Sequence, residues 1–261
     1  MRKIVEITLW TLFLAGLAVL LGFIGAERQK TTARDLEIVI DYGDAVPLIT
    51  QNEVREIIIH HFDTLKGRRI KEIDLARMEE TLSEIDLVRR ADVCVSIQGD
   101  LEVRILQRRP ILRVINARGE SFYLDETGRT VSHSIRHPVR LPVASGHIPQ
   151  SPGDTILLTE EPNSAAEDAL HELRMLYRMA QYIDRDPFLT RQIDQIYVSG
   201  NGDLELIPKL GRHVILFGKA VKMEQKFYKL KAFYRKGIPG SGWHAYSRIN
   251  LKYENQVVCS K

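Results

Sequence analysis

The sequence contains only two cysteines among 261 residues, Cys94 and Cys259. Small domains that depend on disulfide bonds are much richer in cysteine, so a disulfide framework is excluded as the basis of this fold. One bridge between the two thiols remains open, although their wide separation in sequence favours two separate thiols.

The sequence also has little net charge of either sign. It carries 37 Lys and Arg against 34 Asp and Glu, which gives a formal net charge of +3. Nucleic-acid binding typically needs a clustered basic face, and so small an excess does not indicate one. We therefore predict no nucleic-acid partner. The 27% charged and 44% hydrophobic residues are typical of a folded globular chain.

Catalytic motifs are scarce. No Gly-x-Ser-x-Gly elbow occurs, and neither cysteine has the neighbouring histidine or cationic signature of an activated thiol. His133 and His137 have the spacing of two metal ligands on one helical face, but helix signals there are poor and no third ligand follows at a diagnostic spacing. We predict that the chain is not an enzyme and that it binds no metal ion, cofactor or small-molecule substrate. The alternative is a membrane-anchored envelope hydrolase or cell-wall-modifying enzyme that uses these histidines or unrecognised carboxylates.

One long hydrophobic run is present, in residues 7–26, and no second one follows. As a helix it would span about 30 Å, the thickness of the hydrocarbon core of a bilayer. A cleaved secretory signal is the alternative, but its apolar stretch is usually shorter and ends in small residues, whereas Ile24 is bulky. We predict a short cytoplasmic tail over residues 1–6 and an uncleaved transmembrane helix over residues 7–26.

Charge alone does not fix the orientation of this segment. Arg2 and Lys3 on one side are matched by Arg28, Lys30 and Arg34 on the other. The tail is too short to hold a domain, however, and both a signal and an anchor would translocate the rest of the chain. We expect a single-pass protein of the cytoplasmic (inner) membrane with its domains in the periplasm or extracytoplasmic space.

The first exterior segment has the pattern of a small α+β domain. Leu36–Tyr42 alternates at the period of a half-buried strand. Thr50-Gln-Asn-Glu53 is a capping box before one helix, and Asp74 can cap a second. The runs 88–97 and 101–106 follow as a hairpin, so the order is β-α-α-β-β, which is also that of a POTRA module.

A boundary follows at Gln107-Arg108-Arg109-Pro110, because proline cannot donate to a strand ladder and restricts the residue before it. We place a POTRA-like domain at residues 36–107 and a β-domain at residues 108–261. At such a junction Arg108 and Arg109 could bind carboxylates bidentately and fix the angle between domains.

The second domain is predicted to be rich in strands and to contain two helices, so the fold class is α+β. One helix opens at the capping box Ser164-Ala-Ala-Glu167 and ends before Pro187. The other has Ala220, Met223, Phe227, Leu230 and Tyr234 on one face and ends at Gly237. The predicted strands are 111–115, 121–125, 140–144, 192–198, 204–208, 213–217 and 247–253.

Three segments in this order resemble the FtsQ/DivIB family of bacterial cell-division proteins. They are Leu101-Glu-Val-Arg-Ile-Leu-Gln-Arg-Arg-Pro110, Tyr123-Leu-Asp-Glu-Thr-Gly128 and Ile249-Asn-Leu-Lys-Tyr-Glu-Asn-Gln-Val-Val258, behind a single N-terminal anchor. The resemblance implies a POTRA domain followed by a β-domain. It also implies a non-enzymatic divisome scaffold that binds the FtsB and FtsL membrane proteins.

In that family a partner strand pairs with the last strand, and an outer strand of a sheet leaves peptide groups for such pairing. The competing interpretation is that the apolar residues of this strand only fill the core. By resemblance the partner-binding residues are Arg248, Asn250, Leu251, Tyr253, Val257 and Val258.

Overall fold

The computed structural model describes residues 32–96, 98–132, 139–153 and 171–261, together with Trp10 and Gly16. Apart from those two positions, the predicted transmembrane segment lies outside the described residues. Within the part of the chain that is described, no helix combines the length and the hydrophobicity needed to cross a bilayer.

The described residues form two compact units. The first holds residues 32–42 and 49–107, and the second holds residues 43–48 and the described part of 108–261. Each unit has its own hydrophobic core.

The first unit contains a three-stranded sheet and two main helices. The sheet order is β1-β3-β2, with β1 parallel to β3 and β2 antiparallel to it. The predicted order β-α-α-β-β is confirmed, with one turn of 3-10 helix added at Ile70–Glu72. The elements are β1 (Leu36–Asp41), α1 (Gln51–Phe62), α2 (Leu75–Ser83), β2 (Val88–Val95) and β3 (Leu101–Gln107).

Both predicted helix caps are present in this unit. The Thr50 hydroxyl accepts a hydrogen bond from the amide of Glu53 at 3.3 Å, and the Glu53 carboxylate accepts one from the Thr50 amide at 2.8 Å. The Asp74 carboxylate accepts one from the amide of Arg77 at 3.0 Å. These bonds satisfy amides that the first helical turn leaves unpaired, so local sequence fixes where α1 and α2 begin.

The second unit is built on a nine-stranded mixed sheet in the order β12-β11-β10-β9-β8-β7-β4-β5-β6. Its strands are β4 (Pro110–Ile115), β5 (Ser121–Asp125), β6 (Thr130–Ser132), β7 (Val143–Gly146), β8 (Ile193–Val198), β9 (Leu204–Pro208), β10 (Val214–Gly218), β11 (Arg248–Asn250) and β12 (Val258–Ser260). Its helices are α3 (His171–Asp184), α4 (Pro187–Gln192), α5 (Met223–Lys236) and α6 (Ile238–Ser241).

The apolar faces of α3 and α5 pack with the sheet to form the core of this unit. In β8, β9 and β10 the buried residues largely alternate with more exposed ones, as expected for strands with one face in the core. The fully buried contributors include Leu176 and Ile183 of α3, Phe227 and Leu230 of α5, and Ile196, Leu206, Ile215 and Ile249 of the strands.

The prediction of two helices in this unit is wrong, because α4 and α6 are present as well. Pro187 follows the end of α3 at Asp184, as predicted, and it also occupies the first turn of α4. Proline is compatible with that position, where its missing amide leaves no bond unmade. Asp186 caps α4 by accepting hydrogen bonds from the amides of Phe188 and Leu189 at 3.0 and 3.2 Å. The predicted capping box at residues 164–167 lies outside the described residues.

A turn organised around the buried Asp125 follows β5 and holds the predicted junction arginines. Asp125 accepts hydrogen bonds from the amides of Thr127 and Arg129 at 2.9 and 2.8 Å, and from the Nη1 of Arg108 at 3.0 Å. Arg109 binds Asp184 through both terminal nitrogens, at 3.0 and 2.7 Å. These carboxylates belong to the second unit, so the two arginines brace that unit internally.

Candidate partner-binding surface

The carboxy-terminal residues form the last two strands of the nine-stranded sheet. Strand β11 runs parallel to β10 and antiparallel to β12, so β11 is an interior strand and β12 is an outer one. The prediction of one final strand over residues 247–253 is therefore wrong. Arg248 and Asn250 pair on both sides, and the outer strand at this end of the sheet contains Val258.

Two asparagines explain why the run is divided. The Oδ1 of Asn250 accepts a hydrogen bond from the amide of Lys252 at 2.9 Å, a local bond that turns the chain away from the ladder. Asn255 has a positive φ of 56°, a left-handed conformation that asparagine tolerates better than most residues. The chain therefore leaves the sheet after Asn250 and returns as β12.

The hydrogen bonds of β11 determine which peptide groups of β12 remain available. The carbonyl of Ser247 and the amide of Leu251 bond to β10, at 2.9 and 3.0 Å. Peptide groups alternate in direction along a strand, so Arg248 and Asn250 point theirs toward β12. Their β12 partners point back, and the N–H and C=O of Cys259, between those partners, point to the outer side.

The six residues predicted to bind a partner do not lie on one surface. Leu251 is fully buried in the core, and Val257 is partly buried against it. The side chain of Leu251 therefore fills the core, as the competing interpretation states. It can support a binding surface only by holding the backbone in place. Arg248 is exposed and Asn250 is partly exposed. Tyr253 is 51% exposed and Val258 is 41% exposed.

A groove beside these residues was not predicted from the sequence. It lies between α5 and the segment Leu251–Val257, is open to solvent and has a volume of about 900 Å³. Tyr228 on α5 is 73% exposed and lines this cavity together with Tyr253. One feature of the sequence points to this groove. Tyr228 is an aromatic residue outside the apolar face that was predicted for this helix, so its ring is expected on the surface.

Lys229 ties α5 to the segment Leu251–Val257. Its ammonium group donates to the carbonyl oxygens of Leu251 at 3.1 Å, Tyr253 at 2.5 Å and Gln256 at 3.4 Å. Bonds from a charged donor are stronger than those from a neutral one. This single side chain therefore fixes the loop that forms one wall of the groove.

A second lysine lies deeper. Lys226 is 9% exposed, and its ammonium group donates to the carbonyls of Phe217 at 2.9 Å and Lys219 at 2.7 Å. Burial lowers the pKa of Lys226, and the positive charge of Lys229 lowers it further. The carboxylate of Asp203 opposes these two effects, so a negative charge also acts on this ammonium group.

A buried histidine lies at the opposite end of α5. The Nε2 of His213 is 2.8 Å from the hydroxyl of Tyr234, whose ring stacks on Trp243 with centroids 5.6 Å apart. Burial lowers the pKa of His213 and raises that of Tyr234. His213 is therefore held in its neutral form within the fold.

We expect the stability of the second unit to fall as the pH drops below about 6.5, the ordinary histidine value. The folded-state pKa of His213 is lowered, so its contribution is complete above that value and is lost as the unfolded state takes up a proton. The slope should reach up to about 1.4 kcal/mol per pH unit. Urea unfolding followed by Trp243 fluorescence, in a Trp10→Phe background, measures it.

The matched variants are His213→Gln, which removes the buried imidazole, and His244→Gln, which changes an exposed one. His213→Gln should flatten the dependence below pH 6.5, even if it lowers stability overall. An equal pH slope in His213→Gln and the parent protein would contradict the assignment to this histidine.

Comparison with protein families gives two matches. Residues 109–260 match the family described as FtsQ/DivIB, C-terminal related, and residues 31–106 match the POTRA-like domain. The first match alone covers more than half of the chain. The chain belongs to the FtsQ/DivIB family. A comparison with curated proteins finds no match.

FtsQ/DivIB proteins are non-enzymatic scaffolds of cell division that act with other divisome proteins. The first unit of this FtsQ/DivIB chain is its POTRA-like domain, and the second is the C-terminal related domain. The motif Tyr123–Gly128, quoted for the resemblance, contains the buried Asp125 that organises the turn after β5. The motif Ile249–Val258 runs from β11 through the groove wall to β12.

The structure does not test the two histidines that were proposed for the enzyme alternative. His133 and His137 lie outside the described residues of this FtsQ/DivIB chain. Within the described ranges, no three His, Cys, Asp or Glu side chains are grouped as a metal site. Both cysteines are free thiols, with Cys94 exposed in the first unit and Cys259 partly buried in the second.

Proposed function

We propose that this chain is a membrane-anchored divisome scaffold that captures an extended segment of an FtsB- or FtsL-like protein along β12. The observation that carries the proposal is that β12 is the last strand of the sheet, with a register to β11 from which the outward direction of the Cys259 N–H and C=O groups follows. No strand of the described residues lies on that side of β12. A partner strand that pairs there would become the tenth strand of the sheet.

The energetics of such pairing are favourable but modest for each contact. A backbone hydrogen bond contributes about 0.5–1.5 kcal/mol after exchange with water. Val258, 41% exposed, adds apolar surface that a partner side chain can cover. Several such contacts together suffice for a specific complex without any bond-breaking chemistry.

The proposal includes the location. Residues 7–26 anchor the chain in the inner membrane, and both units stand outside the cytoplasm with the partner segments. Partners held in the same membrane meet at a high effective concentration, so modest strand pairing becomes sufficient for capture.

The test is the substitution Cys259→Pro. Proline removes the outward amide and is tolerated on the outer side of a sheet, so pairing with β11 should persist. We expect the affinity of the full chain in detergent for the exterior segments of its FtsB- and FtsL-like partners to fall about tenfold or more, the loss of about 1.4 kcal/mol. Fluorescence anisotropy of labelled partner segments measures this affinity.

Cys259→Ala is the control, because it removes the thiol and keeps the amide. It should bind the partner segments as the parent protein does. Unchanged affinity in Cys259→Pro, together with an unchanged Trp243 spectrum and thermal unfolding midpoint, would rule out strand pairing at this edge.

A further inference from the structure

The groove between α5 and the segment Leu251–Val257 has the properties of a second contact surface. Its main cavity is about 900 Å³, and a smaller one of about 280 Å³ continues it along α5 as far as Val257. Val257 directly precedes the outer strand β12. The groove and the open edge of the sheet are therefore consecutive along the chain.

Exposed apolar and aromatic side chains form the rim of the groove. Val221 is 60% exposed, Tyr228 is 73% exposed and Tyr253 is 51% exposed. Tyrosine is enriched at protein interfaces, because its ring supplies contact area while its hydroxyl remains hydrated. Two exposed tyrosines and an exposed valine around one concavity indicate a surface that another chain covers.

The charge of the groove indicates what kind of chain fits. Five lysines and two glutamates line its main cavity. Lys222, Lys231 and Lys252 form ion pairs with Glu254, Asp186 and Asp203, whereas the hydrogen bonds of Lys226 and Lys229 go to backbone carbonyls. Asp203 and Glu254 also attract these two ammonium groups, but the lining keeps an excess of lysine over glutamate. A negatively charged segment would be attracted to this groove, and a basic one would be repelled.

We infer that the groove binds an acidic segment with interspersed apolar residues, which continues from the partner strand that pairs with β12. This inference rests on the proposed function and adds the chemistry of the neighbouring part of the partner. Strand pairing would supply backbone contacts that depend little on sequence. The groove would then select the partner by the charge and the apolar residues beside that strand.

Photocrosslinking tests where the partner lies. We would place p-benzoyl-phenylalanine at Tyr228 or Tyr253 in the full chain in detergent, and at Tyr197 as the control, an exposed tyrosine of β8 that does not line the groove. The exterior segments of the FtsB- and FtsL-like proteins should crosslink at the groove positions, through residues adjacent to the paired strand. A crosslink at Tyr197 with none at Tyr228 or Tyr253 would overturn the inference.

Affinity measurements separate this inference from the proposed function. Tyr228→Glu places a negative charge in the groove, and Tyr197→Glu places the same charge elsewhere. We expect Tyr228→Glu to weaken partner binding about tenfold or more and Tyr197→Glu to change it less than twofold. If Cys259→Pro lost partner binding while Tyr228→Glu kept it, strand pairing at β12 would be supported and partner binding in the groove would be contradicted. If both variants bound normally, both proposals would fail.

Two other occupants are outcomes of the same experiment. Light scattering of the parent protein without partner would show a dimer, lost in Tyr228→Glu, if a second copy filled the groove. Flotation with vesicles containing phosphatidylglycerol would show binding, reduced by Tyr228→Glu, if anionic lipid filled it. Either result, with partner affinity unaffected by Tyr228→Glu, would overturn the inference. A monomer that does not bind vesicles and loses partner affinity on this substitution would support it.

Discussion

Replacement of Asp125 by alanine should destabilise the second unit by about 3–5 kcal/mol, the range found when one partner of a buried ion pair is removed. Asp125 is 1% exposed and its partner Arg108 is 7% exposed. The substitution leaves the Arg108 guanidinium buried without its carboxylate. It also removes the acceptor for the amides of Thr127 and Arg129, which shape the turn after β5.

Urea unfolding of the full chain in detergent, followed by Trp243 fluorescence in the Trp10→Phe background, measures this loss. Asp125→Asn keeps an oxygen for the turn and removes the charge, so it separates the ion pair from the turn. Glu254→Ala, which breaks an exposed pair with Lys222, is the control and should leave the midpoint unchanged. A loss below about 1 kcal/mol in Asp125→Ala would show that this pair does not brace the unit.

Replacement of Leu251 by alanine should lower stability by about 2–5 kcal/mol, as expected for a fully buried leucine. Leu251 is 0% exposed and packs in the core with the residues of α5 and β10. Resemblance to the family places Leu251 among the partner-binding residues. The structure predicts instead that any loss of binding in this variant follows from loss of folding.

The comparison with Tyr253→Ala makes this distinction measurable. Tyr253 is 51% exposed, so its truncation should leave the unfolding midpoint nearly unchanged. If Leu251→Ala kept the parent stability and still lost partner affinity, its side chain would be a binding group after all. Unfolding midpoint and partner affinity, measured on the same preparations, distinguish these results.

Local signals in the sequence predicted much of the fold. The caps at Thr50 and Asp74 depend on residues three positions apart, and the alternation of Leu204–Pro208 depends on neighbours in the same strand. Such patterns are visible without knowledge of the rest of the chain. The α+β class and the β-α-α-β-β order followed from them.

Errors arose where long-range pairing or a turn overrides the local pattern. The alternation of Ile249, Leu251 and Tyr253 continues past Asn250, although the side chain of Asn250 ends the strand. Which strand is outermost depends on the return of the chain at Val258, and the groove depends on the contact of Lys229 with a loop more than twenty residues away. None of these relations follows from periodicity alone.

The topology of the sheet also affects when the outer edge at β12 forms during folding. Strand β11 reaches its parallel neighbour β10 only after the crossover through α5, and among the described strands β12 pairs with β11 alone. Pairing of strands that are far apart in sequence must first offset the entropy of loop closure, which slows folding. Under the proposed function, a molecule in which β11 and β12 have not yet paired would lack the edge that the partner strand needs, so partner capture would require a completed sheet.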